Sequence, residues 1–464
     1  MSTGVAVIIA VVMLVGLLAL RVPVALSLLG SGATGLLLVD GFALATRTLA
    51  SEPYQAVASY TLIVIPMFIL MGMFAMESGV AHGAFTAANR LVGRLPGGLG
   101  VATVLVCAVF AAVSGSSPAT VATVGRIAIP EMRKRGYSRE FTAGIIGTAG
   151  TLGVLIPPSI VMVVFGIATG VSIGGLLVAG ILPGLLSVLV LSISIVGRSI
   201  LTPHLVQDRS YAFAVVDAVD SGAEIPPAPE GRVRASVLSA TRAPRSPVFS
   251  LASVVVMFGT VIGGIYSGIV TATESAALGA VIGVLILVVA KRRSRQLGSS
   301  ILKAMRETAG TSCMIFAIIV GASVFSVFLV RSGTVSSTSN AILAWDVSPK
   351  VLVVAILLLL LPLGMFLDAT SIILITMPVF WPVLNSLGVD GLWFGVLVVV
   401  MIEIGLITPP VGINAFVLIG VADDILAGNA YRGLAPFVVV QLVVVGILFA
   451  VPEISTFLPE LMRG

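Results

Sequence analysis

The sequence is poor in charged residues. Only 10% of its 464 residues are Asp, Glu, Lys or Arg, whereas a soluble domain carries roughly 25%. So few charges exclude an ordinary soluble enzyme. Apolar residues make up 58% of the chain, and many windows of about 18 residues are apolar enough to cross a bilayer. The composition therefore predicts an all-α polytopic membrane protein.

Histidine and cysteine are equally scarce, with two of each. Neither His82 nor His204 has a neighbour at a metal-site spacing, so we assign them no role. Cys107 and Cys313 lie in apolar runs and are expected to pack as small apolar side chains. The sequence has no Gly-x-x-x-x-Gly-Lys-Ser/Thr motif and no long basic tract. We therefore expect neither an ATP site of that type nor nucleic-acid binding.

An internal repeat is the strongest pattern in the chain. Five backbone-special residues recur in register, with a spacing of 252 for every pair. They are Pro130, Gly136, Gly153, Pro157 and Pro158 in the first copy, and Pro382, Gly388, Gly405, Pro409 and Pro410 in the second. We assign the repeat to residues 110–165 and 362–417, because the rest of the two halves matches only loosely.

Charge predicts that the two copies face opposite sides of the membrane. The loop that follows Pro130 carries four basic residues, and its counterpart at 385–391 carries none. Basic loops favour the cytoplasmic side. The first loop is therefore expected in the cytoplasm and the second outside, which makes the pair an inverted-topology repeat. Secondary transporters with this architecture bind their cargo at the membrane midplane.

Two segments predict re-entrant helical hairpins. Residues 99–132 form two apolar arms, each too short to span the bilayer, around a Ser-Gly-Ser-Ser-Pro tip. Residues 351–384 repeat this shape, and Asp368 at their tip is the only charge between residues 351 and 389. Close helix packing is the alternative explanation for the small residues of the tips. Asp368 could alternatively pair with a basic residue of a neighbouring helix.

Each Pro-Pro pair predicts a broken helix, because proline has no N–H to donate to the carbonyl four residues earlier. The carbonyls of Gly153 and Gly405 are among those expected to be unpaired, and a simple kink is the alternative. Free carbonyls beside Ser or Asp oxygens suit Na⁺. We predict two Na⁺ sites. The first contains Ser114, Ser117, Gly153, Ile156 and Pro158, and the second contains Gly364, Asp368, Ala369, Gly405, Thr408 and Pro410.

Three further acids lie in or near apolar segments. We interpret Glu77, Glu274 and Glu403 as packing or interface partners rather than ion ligands. The alternative class of protein is a membrane-embedded hydrolase that uses a residue from Ser114 to Ser117, or Asp368. The scarcity of histidine and the absence of a second nearby intramembrane Asp disfavour it. A channel is disfavoured because closed hairpin tips leave no continuous polar stripe.

Six motifs in order resemble the large membrane subunit of tripartite ATP-independent periplasmic (TRAP) transporters over nearly the full chain. They are Ser-Gly-Ser-Ser at 114–117, Ile-Pro-Glu-Met-Arg-Lys-Arg-Gly-Tyr at 129–137, Gly-Val-Leu-Ile-Pro-Pro-Ser at 153–159, Thr-Glu-Ser-Ala-Ala at 273–277, Gly-Met-Phe-Leu-Asp at 364–368 and Gly-Leu-Ile-Thr-Pro-Pro-Val-Gly at 405–412. The polar segment between the halves looks longer than is usual for this subunit.

The resemblance implies an elevator-type transporter of the ion transporter superfamily, located in the bacterial inner membrane. It would take up a small organic anion, such as a carboxylate, together with two or more Na⁺. A periplasmic binding protein would deliver the anion, and a small four-helix membrane subunit on a separate chain would brace the scaffold. The resemblance also implies that substrate contacts Ser116, Ser117, Thr120, Ser159, Thr370 and Asn414. The alternative is a stand-alone Na⁺- or H⁺-coupled dicarboxylate transporter of the same architecture.

These inferences divide the chain into seven predicted units. In order they are first-half scaffold and arm helices (1–97), the first hairpin and broken helix (98–172), a linking membrane helix (173–201), a polar Pro-rich linker (202–248), second-half scaffold and arm helices (249–349), the second hairpin and broken helix (350–422) and a C-terminal membrane helix (423–464). The hairpins and broken helices together would form the transport domain.

Overall fold

The computed structural model describes residues 3–206, 247–292, 294–344, 348–422 and 424–463. Only the two ends of the predicted linker fall within these ranges, so most of it lies outside the described residues. The described residues form twenty-two α-helices and two short 3₁₀ helices. The prediction of an all-α protein is therefore confirmed.

Twelve α-helices precede the linker. They are α1 (Thr3–Ala19), α2 (Val24–Asp40), α3 (Phe42–Val57), α4 (Val64–Ser78), α5 (Val80–Val92), α6 (Gly98–Ser114), α7 (Ser117–Lys134), α8 (Arg139–Ala149), α9 (Leu152–Leu155), α10 (Ile160–Thr169), α11 (Ile173–Ala179) and α12 (Ile181–Leu201). The 3₁₀ helices are Tyr60–Ile63 and Pro203–Leu205.

Ten α-helices follow the linker. They are α13 (Pro247–Tyr266), α14 (Ala272–Lys291), α15 (Leu297–Arg331), α16 (Thr334–Ala344), α17 (Pro349–Gly364), α18 (Ala369–Ser386), α19 (Gly391–Leu406), α20 (Ile413–Val421), α21 (Ala427–Ala450) and α22 (Glu453–Arg463).

Within the described ranges, seven helical segments are long and apolar enough to cross a membrane. They are Tyr60–Ser78, Ile173–Leu201, Val248–Tyr266, Ala272–Lys291, Leu297–Arg331, Ala369–Ser386 and Ala427–Ala450. An eighth span is formed if Arg139–Leu155 and Ile160–Thr169 are counted together, and these two segments are bent by 46° at their break. The chain is therefore built to pass through the bilayer many times.

One group of helices consists of α1–α4 with α13–α16, in which α2 and α4 pack against α15, and α4 also packs against α14. Glycine allows close approach here, since a Cβ on Gly32 would lie 2.8 Å from the Cα of Phe325. Near one end of the group, Glu77 pairs with Lys291 at 3.2 Å and with Lys303 at 2.8 Å. These ion pairs join α4, α14 and α15.

A second group contains α6–α10 and α17–α21. Within it α6 packs against α7, α17 packs against α19, and α21 lies along α8. Gly144 of α8 and Gly433 of α21 meet at their backbones, because a Cβ on Gly144 would lie 2.3 Å from the carbonyl oxygen of Gly433. This group holds every residue that the sequence predicts for the Na⁺ and substrate sites.

The interrupted helices of the two halves run in opposite directions within this group. Asp424, just after α20, forms ion pairs with Arg133 at 3.0 Å and with Arg139 at 3.4 Å. The beginning of α8 therefore lies beside the end of α20. At the other end, a Cβ on Gly391 would lie 2.6 Å from Cγ2 of Val171. The end of α10 therefore lies beside the beginning of α19.

Candidate functional site

The first hairpin turns sharply between α6 and α7. Gly115 ends α6 with a left-handed φ of 61°, which favours glycine, and Ser116 is extended. The hydroxyl of Thr120 donates to the carbonyl of Ser116 at 2.8 Å, and the Ser114 hydroxyl lies 2.9 Å from the same Thr120 oxygen. These hydrogen bonds close the tip on itself and fix two hydroxyls, those of Ser114 and Thr120, in the protein interior.

The first broken helix is interrupted at its Pro-Pro pair. α9 ends at Leu155 and α10 begins at Ile160, with the Pro157–Pro158 peptide bond in the cis form. Ser159 caps α10 by accepting a hydrogen bond from the Met162 N–H at 3.2 Å. Every residue from 151 to 160 is buried. The break is therefore a non-helical segment that lies inside the protein.

The first tip and the first break touch at their backbones. A Cβ on Gly153 would lie 2.6 Å from the Thr120 hydroxyl and 2.8 Å from the Ser116 carbonyl oxygen. A Cβ on Gly115 would lie 2.8 Å from the carbonyl oxygen of Pro158. Glycine is thus required on both sides of this contact. The structure brings the predicted Ser114–Ser117 tip and the Gly153–Pro158 break together in one buried cluster of oxygens.

The second hairpin turns between α17 and α18. Asp368 caps α18, because its carboxylate accepts from the N–H of Ser371 at 3.1 Å. In the part of the chain that the structure describes, Asp368 forms no ion pair with a basic residue. The carbonyl of Met365 accepts from the N–H of Gly412 at 3.1 Å. The second tip is therefore bonded directly to the second break.

The second break separates α19 from α20. A Cβ on Gly405 would lie 2.6 Å from the Cα of Gly364, so tip and break are in backbone contact here too. The Gly405 carbonyl accepts from the Thr408 N–H at 3.0 Å. The Gly405 carbonyl is therefore paired, contrary to our prediction. The chain turns after Leu406, so that Thr408 donates the N–H that Pro409, four positions after Gly405, lacks.

The environment of the second break differs from that of the first. Pro409 and Pro410 are exposed and Thr408 is half-buried. Tyr431 of α21 donates to the carbonyls of Pro410 at 3.0 Å and Val411 at 2.6 Å. The sequence analysis missed Tyr431, because it lies outside the repeated segments. The hydroxyl of Tyr431 therefore already serves as the donor to two carbonyls of the second break, on the side that faces α21.

Ser117 and Asn414 join the two halves. The Ser117 hydroxyl oxygen lies 3.1 Å from Oδ1 and 2.9 Å from Nδ2 of the Asn414 side chain, and both residues are fully buried. They stand at the first turns of α7 and α20, whose N-terminal ends therefore meet here. Helix N-terminal ends present free N–H groups and positive partial charge, which favour an anion.

The remaining predicted substrate residues are distributed around this point. Ser116 and Thr120 belong to the first tip, and Thr370 is buried in the first turn of α18 at the second tip. Ser159 is committed to capping α10. Within the described residues no hydrogen bond joins Thr370 or Ser159 to the Ser117–Asn414 pair.

Glu403 adds a carboxyl group that the sequence analysis did not include in the site. It is 3% exposed and lies beside Ser117 and Asn414. Neither carboxyl oxygen reaches a hydrogen-bond partner among the described residues. Its position could have been recognised, because it is the only charge on α19 and stands two residues before the repeated Gly405.

The described residues contain no group of three or more His, Cys, Asp or Glu side chains that could hold a metal ion. The oxygens at the tips and breaks belong instead to hydroxyl, amide and carbonyl groups. The second half adds two carboxyl groups, Asp368 at the second tip and Glu403 on α19. Such donors suit a hard monovalent cation.

The chain matches the family model described as "Tripartite ATP-independent periplasmic transporter, DctM component" over residues 11–454. It is 38% identical to the C4-dicarboxylate TRAP transporter large permease protein DctM of Pseudomonas aeruginosa, over 89% of this chain and 90% of that protein. The sialic acid TRAP transporter large permease protein SiaM of Vibrio cholerae is 28% identical over 97% of both chains.

A third relative is the isethionate TRAP transporter permease protein DctMQ of Oleidesulfovibrio alaskensis, which is 33% identical. The match covers 95% of this chain but only 64% of that longer protein. Two solved structures share the fold. The YdaH transporter of Alcanivorax borkumensis has a TM-score of 0.58 at 15% identity, and covers 90% of this chain and 89% of its own. MtrF of Neisseria gonorrhoeae has a TM-score of 0.61 at 14% identity, and covers 90% and 85%.

The many apolar spans and the curated relatives define the chain as a multi-pass transport permease of the inner membrane, not an enzyme. More specifically, the chain belongs to the DctM family, the large permease component of TRAP transporters. The resemblance that the sequence motifs indicated is therefore confirmed.

Proposed function

We propose that this permease carries out Na⁺-coupled secondary uptake of a small organic anion, such as a carboxylate, across the bacterial inner membrane. Relatives named for C4-dicarboxylate and sialic acid transport support an anionic cargo. The observation that carries the proposal is the meeting of α7 and α20 at Ser117 and Asn414. Two helix N-terminal ends at one buried point provide N–H groups and positive partial charge for a carboxylate.

The tips and breaks supply the oxygens for Na⁺ in this proposal. In the first half, Ser114, Thr120 and the carbonyl of Ser116 cluster near Gly153, and the carbonyl of Pro158 lies against Gly115. In the second half, Asp368 and the carbonyls around Gly405 are available, although Tyr431 and Thr408 already use several acceptors. One elementary charge that crosses 100 mV provides about 2.3 kcal/mol. Two or more Na⁺ moving inward can therefore drive accumulation of the anion.

An elevator movement of an inverted-topology repeat is part of the proposal. It is supported by the opposite directions of α8–α10 and α19–α20, which follow from the Asp424 ion pairs at one end and the Gly391 contact at the other. It is also supported by the packing of α1–α4 with α13–α16 into one group, which meets the second group where α4 packs against α6 and α15 against α18. That group would be the scaffold, and the hairpins and broken helices would be the moving transport domain.

Family membership implies two protein partners, which we propose for this chain as well. One is a periplasmic binding protein that delivers the anion, and the other is a small four-helix membrane subunit on a separate chain that braces the scaffold. The greater length of the DctMQ relative is consistent with a large permease joined to further sequence. A stand-alone Na⁺- or H⁺-coupled dicarboxylate transporter is the alternative.

Reconstitution in liposomes tests the proposal. We expect uptake of an organic anion only when the permease, both partners and an inward Na⁺ gradient are present, with succinate and sialic acid as the first anions. Uptake by the permease alone would favour the stand-alone alternative. Uptake that is unchanged when choline replaces Na⁺ on both sides would contradict Na⁺ coupling.

A further inference from the structure

Glu403 is a buried acid that forms no ion pair with a basic side chain among the described residues. It lies on α19 among apolar residues and is 3% exposed, and among the described residues the polar side chains beside its carboxyl group are the uncharged Ser117 and Asn414. A carboxylate that is removed from water without a partner is strongly unfavourable. A buried carboxyl at this position is therefore neutralised either by a proton or by a bound cation.

Among the side chains that the structure describes, the helices that pack against α19 provide no cation that pairs with Glu403. Their basic residues are Lys350, which is exposed at the start of α17, Arg432 on α21 and Arg463 at the end of α22. Arg432 faces Glu140 at 4.0 Å. The other ionisable groups on these helices are Asp368, Tyr431, Glu453 and Glu460. Asp368 and Tyr431 bond to Ser371 and to the second break, and no ion pair to Glu403 occurs among the described residues.

The groups that do face Glu403 are ligands rather than charges. Its carboxyl lies beside Ser117 and Asn414. Together these three side chains bring carboxylate, hydroxyl and amide oxygens to one buried point, which is a donor set that small hard cations prefer. Ser117 belongs to the first predicted Na⁺ site, which as first predicted contained no acidic residue.

We propose that Glu403 is an anionic ligand of the Na⁺ that binds at Ser117, with Asn414 as a further ligand. This inference rests on the proposed function and extends the first Na⁺ site into the second half of the chain. Each of the two sites then has one carboxylate, Glu403 for the first and Asp368 for the second. A cation at Glu403 would be held jointly by α7, α19 and α20.

The position of Glu403 also gives a physical reason for coupling. An anion bound at the N-terminal ends of α7 and α20 would be repelled by an uncompensated carboxylate next to Ser117 and Asn414. Na⁺ at Glu403 removes this repulsion and attracts the anion. By thermodynamic linkage, the anion raises the affinity for Na⁺ by the same factor.

Binding of ²²Na⁺ to the purified permease in detergent tests this assignment. We expect Glu403→Gln, which keeps the size of the side chain and removes its charge, to bind one Na⁺ fewer per chain than the wild type. NaCl should also raise its unfolding temperature less than that of the wild type, with choline chloride as the reference salt. Glu307→Gln, a surface exchange of the same type, should bind as the wild type does.

The outcomes separate the inference from the proposed function. If the wild type binds no Na⁺, the proposed Na⁺ coupling fails. If the wild type binds Na⁺ and Glu403→Gln binds it with the same stoichiometry and affinity, only the role of Glu403 is overturned. If Glu403→Gln does not fold, Glu403→Asp decides. Its carboxylate is set back by one methylene, so we expect weaker Na⁺ binding, and unchanged affinity would overturn the assignment.

Discussion

At the scale of single residues, Asp368 combines a structural role with a charge, and mutation can separate the two. Its carboxylate caps α18 through the Ser371 N–H. Loss of such a cap costs about 0.5–2 kcal/mol. Asp368→Ser retains an oxygen that can cap the helix and removes the charge, whereas Asp368→Ala removes both.

We expect both Asp368 variants to lose Na⁺-dependent uptake in liposomes, because both remove the carboxylate of the second Na⁺ site. Only Asp368→Ala should also show a lower unfolding temperature. Na⁺-dependent uptake that persists in Asp368→Ser with the wild-type Na⁺ requirement would reduce Asp368 to a helix cap.

The Ser117–Asn414 pair is predicted to stabilise the contact between the halves. Removal of either side chain leaves the other without its buried partner, which costs about 1–3 kcal/mol. In a cycle of Ser117→Ala, Asn414→Ala and the double variant, we expect a coupling energy of about 0.5–3 kcal/mol in thermal or denaturant unfolding. Ser192→Ala on α12, whose hydroxyl bonds only within its own helix, is the control. Strictly additive effects would show that the pair contributes nothing beyond its separate residues.

Single residues also show where sequence reasoning reaches its limit. Ser117 and Asn414 could each be selected, one from a hairpin tip and one from the family resemblance. Their contact could not, because they are 297 positions apart in the chain. The proximity of Glu403 to these two residues was not predictable for the same reason, because Ser117 lies far from it in the chain.

At the scale of elements, the contact between a hairpin tip and a broken helix depends on glycine. A methyl group at Gly153 would meet the backbone of Ser116, which cannot move without opening the tip. We therefore expect Gly153→Ala to lower the unfolding temperature and abolish uptake. Gly197→Ala on α12 is the matched control, because a Cβ there has nothing within 4 Å. Normal uptake by Gly153→Ala would mean that tip and break need not touch.

The helical elements were largely predictable because proline and glycine mark their ends. Gly115 and the Pro157–Pro158 pair interrupt the chain where the sequence analysis expected a tip and a break. The pairing of carbonyls at the second break was not predictable, since it depends on the turn at Thr408 and on Tyr431 from α21. The packing of α21 along α8 was also missed, because two glycines from distant segments create it.

At the scale of the whole molecule, the inverted repeat predicts the sidedness of two exposed positions. Arg135→Cys should react with a membrane-impermeant maleimide only from the cytoplasm, and Asn385→Cys only from outside. The native Cys313 is exposed and must first be replaced by Ser, whereas Cys107 is buried. The measurement compares the extent of maleimide labelling in intact cells with that in inverted membrane vesicles. Reaction of both positions from one side would rule out opposite orientations of the two copies.

The elevator proposal requires that the first hairpin moves past the scaffold, and Gly72 of α4 lies at their contact. A Cβ on Gly72 would be 2.9 Å from the carbonyl oxygen of Val113 and 3.1 Å from that of Ser114. This contact joins a scaffold helix to the hairpin tip. If the transport domain slides by even one helical turn, about 5.4 Å, the contact must break during every cycle.

A reversible cross-link at this contact therefore tests the movement. In a chain whose Cys107 and Cys313 are replaced by Ser, cysteines introduced at Gly72 and Val113 should be bridged by Hg²⁺. We expect bridging to reduce uptake to background and excess dithiothreitol to restore it, because the scaffold would hold the hairpin in one position. Each single-cysteine variant, treated in the same way, controls for direct inhibition by mercury, and uptake by the untreated double-cysteine protein is the reference, because a Cβ at Gly72 displaces the Val113 carbonyl. Full uptake by demonstrably bridged protein would show that α4 and the hairpin move together, and a sliding transport domain with this boundary would be excluded.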